Sequence, residues 1–551
     1  MAVKEIDVKL FAKMFLAGAK YLDNSKEEIN ELNVFPVPDG DTGTNMTMTI
    51  VSAAKEVRDL GEEPDMKSLC KAMSGGSLRG ARGNSGVILS QLLRGFTKAV
   101  RDEQVITVPL FGAACTKAVE TAYKAVMKPT EGTILTVARG MGEKAAELIE
   151  DGADDFETII PALYEHGNAV LAQTPELLPV LKQAGVVDSG GAGLMKVIQG
   201  AMDMFQGKEI DLTISDEPIA KVDDSRPGKI EEVQKNIYHT EMKTKLSKPV
   251  NSKLESDVKA YLASIGELLT YKSDGNEVFI DMNTDDPGLV VQKALKFGIL
   301  SDVKITCRVQ NVSAAQNTPA PAPAPEEPKG EPADFGFVAV SAGDGLAEIF
   351  RSLGVDYVIE GGQTMNPSTA DILDAVEKVN ARTVFVLPNN KNIIMAANQA
   401  RDLTTDKVVL VIPTKTIPQG ITAAINFSAG SSADENEQTM IDAIGSVKTG
   451  EITYAVRDTN IDDHEIRKGD FMGIGDKKIL SVGTDMDQVV LDMITEMVDD
   501  SSELISLYFG ADVAEGDANA LKDKIAEKFS SLDVDIQNGG QPVYYYIVSV
   551  E

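Results

Sequence analysis

Asn33-Val-Phe-Pro-Val-Pro-Asp39-Gly40-Asp41-Thr42-Gly43-Thr44-Asn45-Met46 interrupts one helical stretch and opens the next. The prolines at 36 and 38 fix φ and hold the residue before each in extended backbone. The Asp-Gly-Asp that follows sets two carboxylates two residues apart around a permissive turn. At roughly 4 Å and an effective dielectric near 20, two such charges repel by about 4 kcal/mol. Either one takes up a proton or a cation sits between them. Hard oxygen ligands on a glycine-loosened loop suit Mg²⁺, which usually binds one or two carboxylates together with substrate phosphates. Thr42-Gly43-Thr44-Asn45 then offers backbone amides and hydroxyls at a helix N-terminus, where anions are favoured. An Asp-Gly turn with an N-cap is the plainer reading, but the prolines and the polar cluster after them favour a metal–phosphate site.

Outward from this stretch, residues 1 to about 205 read as helices. Leu10, Phe11, Met14, Phe15 and Leu22 recur at helical spacing, as do Val87, Leu89, Leu92, Leu93 and Phe96. Further helical patterns cover roughly 107–126, 134–150, 156–173 and 190–206, and strand alternation is missing. The unusual residues fall between helices, at 33–46, 74–86, 128–133 and 185–193, where binding chemistry tends to sit. The second loop, Ser74-Gly-Gly-Ser-Leu-Arg79-Gly-Ala-Arg82-Gly83-Asn84-Ser85-Gly86, lets amides approach a polyanion. Ser85 can bond a phosphate oxygen, and Arg79 or Arg82 can match phosphate geometry; Arg82 is the one assigned to catalysis beside Asp39 and Asp41. In the third loop, Lys128 to Thr133, capping is the plain alternative. In the fourth, Gly185-Val-Val-Asp188-Ser189-Gly190-Gly191-Ala-Gly193, Asp188 is either an N-cap or a nucleotide contact.

From about 228 to 310 the order is β-α-β-β-α-β, with a hairpin turning at Asp274-Gly275, which suggests a small ferredoxin-like α+β unit. Residues 311–334 form an Ala/Pro linker, reaching on the order of 60 Å if stretched and expected to separate two working bodies. From 335 to 551, apolar runs Val338–Val340, Tyr357–Ile359, Val384–Leu387 and Val408–Ile412 alternate with helical stretches, the signature of a parallel α/β sheet. The tail adds strands.

The chain of 551 residues is long enough for several cores, and its net charge of −32 excludes a nucleic-acid footprint or charge-driven binding to anionic membranes. Cys70, Cys115 and Cys307 lack metal-like spacing and fit a reducing cytoplasm. No apolar run approaches ~20 residues, so no membrane span is expected. The reading is a cytoplasmic multidomain protein.

Taken together, Asp39-Gly-Asp41-Thr-Gly-Thr-Asn45, Gly83-Asn-Ser-Gly86, Glu131-Gly-Thr133 and Asp188-Ser-Gly-Gly191 resemble the ADP-binding helical domain of dihydroxyacetone kinases. The longer Asn33–Asn45 form, Gly80-Ala-Arg-Gly-Asn-Ser-Gly86 and Val187-Asp-Ser-Gly-Gly191 resemble bacterial fatty-acid kinase catalytic subunits. So do Gly361-Gly-Gln-Thr-Met-Asn-Pro-Ser-Thr369, Leu387-Pro-Asn-Asn-Lys-Asn392 and Pro413-Thr-Lys-Thr-Ile-Pro-Gln-Gly420, in a C-terminal region similar to DegV proteins. The resemblance implies an all-α eight-helix barrel over 1–207 with the nucleotide at one end, a middle domain at 228–310 and an α/β C-terminal domain at 335–551. It implies Mg²⁺ held by Asp39 and Asp41, with Asn33 standing where the relatives carry a first aspartate. Thr42, Gly43, Thr44 and Asn45, with Asn84 and Ser85, would contact phosphates. Thr133 would lie near ATP, and Asp188, Ser189 and Gly190 would border it. In the middle domain the relatives' zinc ligands are replaced by His239, Asp281 and Asn283, a poor set beside Cys and His.

The function so implied is Mg-ATP-dependent phosphorylation of a fatty-acid carboxylate, presented by a fatty-acid-binding carrier protein, giving acyl-phosphate for lipid synthesis. A carboxylate nucleophile is already ionised and needs no base, which suits loops free of His166, His239 and His464. A homodimer is expected. The alternatives are glycerone (dihydroxyacetone) kinase activity with a separate sugar-binding subunit, and a non-catalytic nucleotide-binding scaffold. No stretch of the helical domain reads as a lipid pocket, so the acyl chain is expected to be buried in the carrier.

Overall fold

The computed structural model describes residues 2–33, 40–61, 63–126, 128–214, 238–246, 258–259, 262, 266–273, 277–284, 287–295, 298–307, 331–362, 365–455, 458–461, 464–475 and 478–551. The chain forms two compact units, one from 1–221 with 329–551 and the other from 222–328.

The N-terminal part of the first unit is helical: α1 (Val8–Asn24), α2 (Lys26–Leu32), α3 (Thr42–Asp59), α4 (Met66–Arg79), α5 (Gly83–Val100), α6 (Val108–Ala125), α7 (Ile134–Glu150), α8 (Phe156–Leu177), α9 (Pro179–Ala184) and α10 (Ser189–Phe205). The longer helices pack in sequence, α1 on α3, then α4, α5, α6, α7 and α8, and α10 joins α8 back to α1. Amphipathic faces turned inward make the core. Met46, Ile50, Leu69 and Val137 lie in it, and Phe11, Phe96, Phe111, Phe156 and Phe205 run through it as a chain of rings with centroids 5.5–6.4 Å apart.

One end is tied by pairing of Glu5–Asp7 with Val105–Thr107 and by the Phe156 amide bonded to Val3 O. There α1, α4 and α8 are capped by Asp7, Asp65 and Asp155, each accepting from the amide three residues on. At the opposite end α3, α5, α7 and α10 begin. Their N-terminal residues follow the four loops singled out by composition.

The C-terminal part contains a four-stranded parallel sheet, ordered Val408–Val411, Ala381–Leu387, Ala333–Ser341, Tyr357–Glu360. These are the four apolar runs. Both faces are covered, so they read as near-continuous hydrophobic segments. The tail does not extend that sheet; it builds a second, six-stranded one that is antiparallel except for Leu504–Phe509 beside Asp533–Asn538.

The helical and C-terminal parts are not separated bodies. Ala81 and Val87 are buried in one cluster with Val338, Ile372, Ala396 and Val411, and the Thr369 amide donates to Ala81 O at 3.1 Å. The expectation of two bodies held apart by the linker is therefore corrected. A local Ala/Pro composition reports stiffness but not whether the bodies it joins have matching surfaces.

The second unit holds an antiparallel sheet ordered Gly266–Ser273, Glu277–Thr284, Tyr238–Leu246, Gly298–Cys307, with helix Pro287–Leu295. The turn at 274–276 lies outside the described residues, as do most of the residues of the first helix expected in this unit and linker residues 311–330.

Candidate active site

Three of the four helices that begin at the composition-marked end lack a cap from their own N-cap side chain. Asp41, Arg82 and Thr133, the residues preceding α3, α5 and α7, make no such bond, although Asn30 accepts the Thr44 amide of α3 and Asp188 the Ile134 amide of α7. The positive ends of four helix dipoles gather at this end of the helical body, which favours an anion. The fourth helix, α10, is closed by Asp188, whose Oδ2 accepts from the Gly191 amide at 2.7 Å.

Asp41 is 6% exposed. Burial pushes its carboxyl pKa upward, opposed by hydrogen bonds from the Asn45 and Asn366 side chains and by the charge of Lys391. Asn366 Nδ2 donates to Asp41 Oδ2 at 2.7 Å across 325 residues of sequence. Gly40 and Gly83 on either side adopt φ of +57° and +58°, the left-handed region. At Gly83 a Cβ would also sit 2.6 Å from Asn45 Nδ2. Asn45 is buried, and Thr44 is fixed by Asn30, whose Oδ1 accepts the Thr44 amide at 3.1 Å. Thr42 and Gly43 are buried in the first turn of α3. Asn33 ends α2. Asp39 lies outside the described residues.

Arg82 is committed to the C-terminal part: Nη1 donates to Asn366 O at 2.8 Å and Nη2 pairs with Asp371 at 3.2 Å. Arg79 instead reaches Glu56. Asn84 Nδ2 donates to Asn392 Oδ1 at 3.1 Å, and Ser85 is half-buried in the first turn of α5. Thr133 Oγ1 donates to Thr130 O, and the same loop is braced by Glu131, which accepts from Thr136 and pairs with Arg139. Ser189 and Gly190 are buried where α10 starts.

Two glycines of the fourth loop are set by helix packing. A Cβ at Gly191 would lie 2.9 Å from Val137 Cγ2 and one at Gly193 2.8 Å from Met46, so close helix packing accounts for them. A cavity of about 210 Å³ also lies within the helical body, lined by apolar residues including Phe15, Met73, Leu92, Phe96, Met141 and Leu194. From the sequence alone, no stretch of the helical domain reads as a lipid pocket. The lining comes from helices scattered along the sequence, so no single stretch displays it.

A cleft of about 1480 Å³ runs between α5–α6 and the C-terminal part, with Asn84 on its wall and Arg94, Lys98, Lys124, Lys128, Lys391 and Lys415 around it. Its sign is opposite to that of the chain as a whole. In the second unit, His239 Nδ1 lies 3.0 Å from Asn283 Oδ1, with Asp281 3.6 Å from Nε2. Among the described residues no group of three His, Cys, Asp or Glu could hold a metal. At Asp41 the oxygens are mixed: a buried carboxylate, plus the carboxamide oxygen of the adjoining Asn366, which is buried without a partner. Hard oxygens of this kind fit Mg²⁺. Among the described residues no helix is long and apolar enough to cross a membrane.

Sequence reasoning missed Asn366, Asp371 and Asn392. The available signal was polar density in Met365-Asn-Pro-Ser-Thr369 and Pro388-Asn-Asn-Lys-Asn392, directly after strands of a parallel sheet, where such sheets carry their ligands.

A DAK2 domain model matches residues 36–203, and the FakA-like C-terminal model of fatty acid kinases matches residues 336–551. Protein YloV of Bacillus subtilis (strain 168) is 42% identical over 558 residues, covering 100% of both chains. Among solved structures, the dihydroxyacetone kinase of C. freundii in complex with AMP-PNP and Mg²⁺ is 14% identical, covering 36% of this chain and 34% of that one, with a TM-score of 0.28. The Streptococcus pneumoniae Fatty Acid Kinase (Fak) B3 protein loaded with linoleic acid is 12% identical, covering 40% of this chain and 99% of that one, also at 0.28. With a relative 42% identical from end to end and both models matched in order, the chain belongs to the FakA-like family of fatty acid kinase subunits.

Proposed function

We propose that this chain is an ATP-dependent kinase that phosphorylates a fatty-acid carboxylate presented by a lipid-carrier partner, giving acyl-phosphate for lipid synthesis. The observation that carries the reading is the buried Asp41 carboxylate at the end of the helical body where the N-termini of α3, α5, α7 and α10 gather. Membership in the FakA-like family supplies the acceptor class. On this reading the helical part is an eight-helix barrel with the nucleotide at the loop end, the middle unit is ferredoxin-like, and the C-terminal part is DegV-like.

On this reading the chain's residues take the following parts. Backbone amides at the starts of α3 and α5 hold phosphate oxygens, with Thr44, Asn84 and Ser85 beside them. Asp39, Asp41 and Asn33 supply oxygens to Mg²⁺, which when bound offsets charge on the transferring phosphoryl group. The carboxylate acceptor attacks without a base, being ionised at neutral pH. Arg82 binds the C-terminal part and so positions the α5 N-terminus. The basic cleft favours two anionic reactants on a chain of net charge −32.

The test mixes the purified chain, Mg-ATP and a fatty-acid-loaded carrier, and traps acyl-phosphate with hydroxylamine as the hydroxamate. Product that needs the carrier supports the reading. Rapid phosphorylation of free fatty acid overturns the carrier, and phosphorylation of dihydroxyacetone by the chain with a sugar-binding partner replaces the acceptor. ATP binding without any turnover leaves a nucleotide-binding scaffold.

A further inference from the structure

The C-terminal part brings one side chain to Asp41 that none of the four loops contains. Asn366 is 2% exposed, and its Nδ2 donates to Asp41 Oδ2 at 2.7 Å. That bond fixes the carboxamide's orientation, because the opposite flip would set two acceptors face to face. Its Oδ1 is buried and has no hydrogen-bond partner. The main-chain oxygen of the same residue is held by Arg82. The residue is thus clamped at two points, and its side-chain oxygen is left over beside a buried carboxylate. Buried acceptors are satisfied in the great majority of native sites, so an orphan of this kind calls for a ligand.

We infer that Asn366 Oδ1 supplies an oxygen to the shell of the divalent cation held by Asp41, directly or through one of the waters that Mg²⁺ usually retains. The C-terminal part therefore completes the metal–phosphate site. This rests on the kinase reading for the presence of the cation, but not on the identity of the acceptor. It also adds a neutral ligand to a site where Asn33 already replaces a charged one. Asn366 reaches the site only when the C-terminal part is docked on α5, which ties cation affinity to docking.

The experiment uses the full chain and Mn²⁺ as probe, titrated by electron paramagnetic resonance with saturating ADP, beside thermal melts with and without Mn²⁺. Asn366→Ala should weaken Mn²⁺ about tenfold, a typical cost for a supporting ligand. Asn366→Asp loses the bond to Asp41 and sets two carboxylates together. Its melting temperature should fall without the cation and recover when Mn²⁺ is added. Anomalous scattering from Mn²⁺ in crystals of the unaltered chain with ADP should place the ion within about 4.5 Å of Oδ1, the reach of one bridging water. Folded N366A with unchanged Mn²⁺ affinity would overturn the inference. So would N366D equally destabilised with and without Mn²⁺, which marks a structural clamp, or an ion lying beyond that distance. If the unaltered chain binds Mn²⁺ and ADP but phosphorylates no fatty acid, the acceptor assignment falls and Asn366 keeps its role. If it binds neither, both readings fall.

Discussion

Replacing Asp188 with Asn tests the electrostatics of the loop end without touching its shape. The Asp188 carboxyl caps α10 through the Gly191 amide and lies against Ile134. Enclosure pushes its pKa up from 3.8 to about 6, against the downward pull of the Gly191 and Ile134 amides. The folded state therefore keeps the proton longer than the unfolded one. This contribution to stability is full below about pH 4 and is lost as pH rises through 6. A rise from 3.8 to about 6 amounts to ~3 kcal/mol at 1.36 kcal/mol per pH unit. Because the residue is only half-buried, water returns part of that cost, leaving about 1–3 kcal/mol. Asn caps a helix about as well as Asp and carries no charge. The variant should thus be more stable than the parent at pH 8 by roughly that amount, with the gain gone by pH 4. Hydrogen exchange of peptides covering 186–205, corrected for intrinsic rate, isolates α10 from the other units. A variant that is less stable at pH 8, or shifted equally at every pH, refutes the argument. It would mean that the ionised carboxylate is well solvated and that its bond to the first turn dominates.

Asp41→Ala should abolish phosphoryl transfer with the helical circular dichroism retained; turnover at the parent rate under saturating Mg-ATP would remove Asp41 from the metal site. Arg82→Ala deletes a charge-assisted hydrogen bond and a half-exposed ion pair, so docking of the C-terminal part should weaken by about 2–3 kcal/mol. That appears as faster hydrogen exchange around 365–371, and unchanged exchange there would make the contact idle. Cleavage of the chain within 320–330 should leave two pieces that still co-elute in gel filtration, because Ala81 and Val87 share a core with the parallel sheet; separation in dilute buffer would show that core to be too weak to hold them.

The sequence displayed what is local and hid what is not. The helices of 1–205 were legible because each carries an apolar stripe, and the four parallel strands because both of their faces are covered. The loops at 33–46, 74–86, 128–133 and 185–193 stood out by glycine and hydroxyl content alone. Composition could not say why a glycine was there: Gly191 and Gly193 serve packing against Val137 and Met46, although a phosphate-approach motif would look the same. Nor could it find the partner of an arginine. Arg82 was marked by its neighbours, while its actual contacts, Asn366 and Asp371, lie 284 and more residues away. The cavity near Phe96 and Met141 was invisible for the same reason, being made by helices that meet only after folding.

The acidity of the chain and the chemistry of the site fit together once distance is considered. At physiological ionic strength charges beyond about 8 Å are largely screened, so a net charge of −32 spread over the surface does little to repel an anion already near the cleft. What an anion meets there is local: Lys124 and Lys128 at the end of α6, Lys391 and Lys415 from the C-terminal part, and the N-terminal end of α5 at Asn84. Two of those lysines and the Asn366 carboxamide belong to the C-terminal part, outside the four glycine-rich loops. The helical part alone would present Asp41 with no Asn366 donor and without the charge of Lys391, both of which oppose the rise in its carboxyl pKa. Docking of the C-terminal part thus sets Asn366 and Lys391 against the upward push of burial on Asp41, and the Arg82 clamp makes that docking depend on the same loop that opens α5.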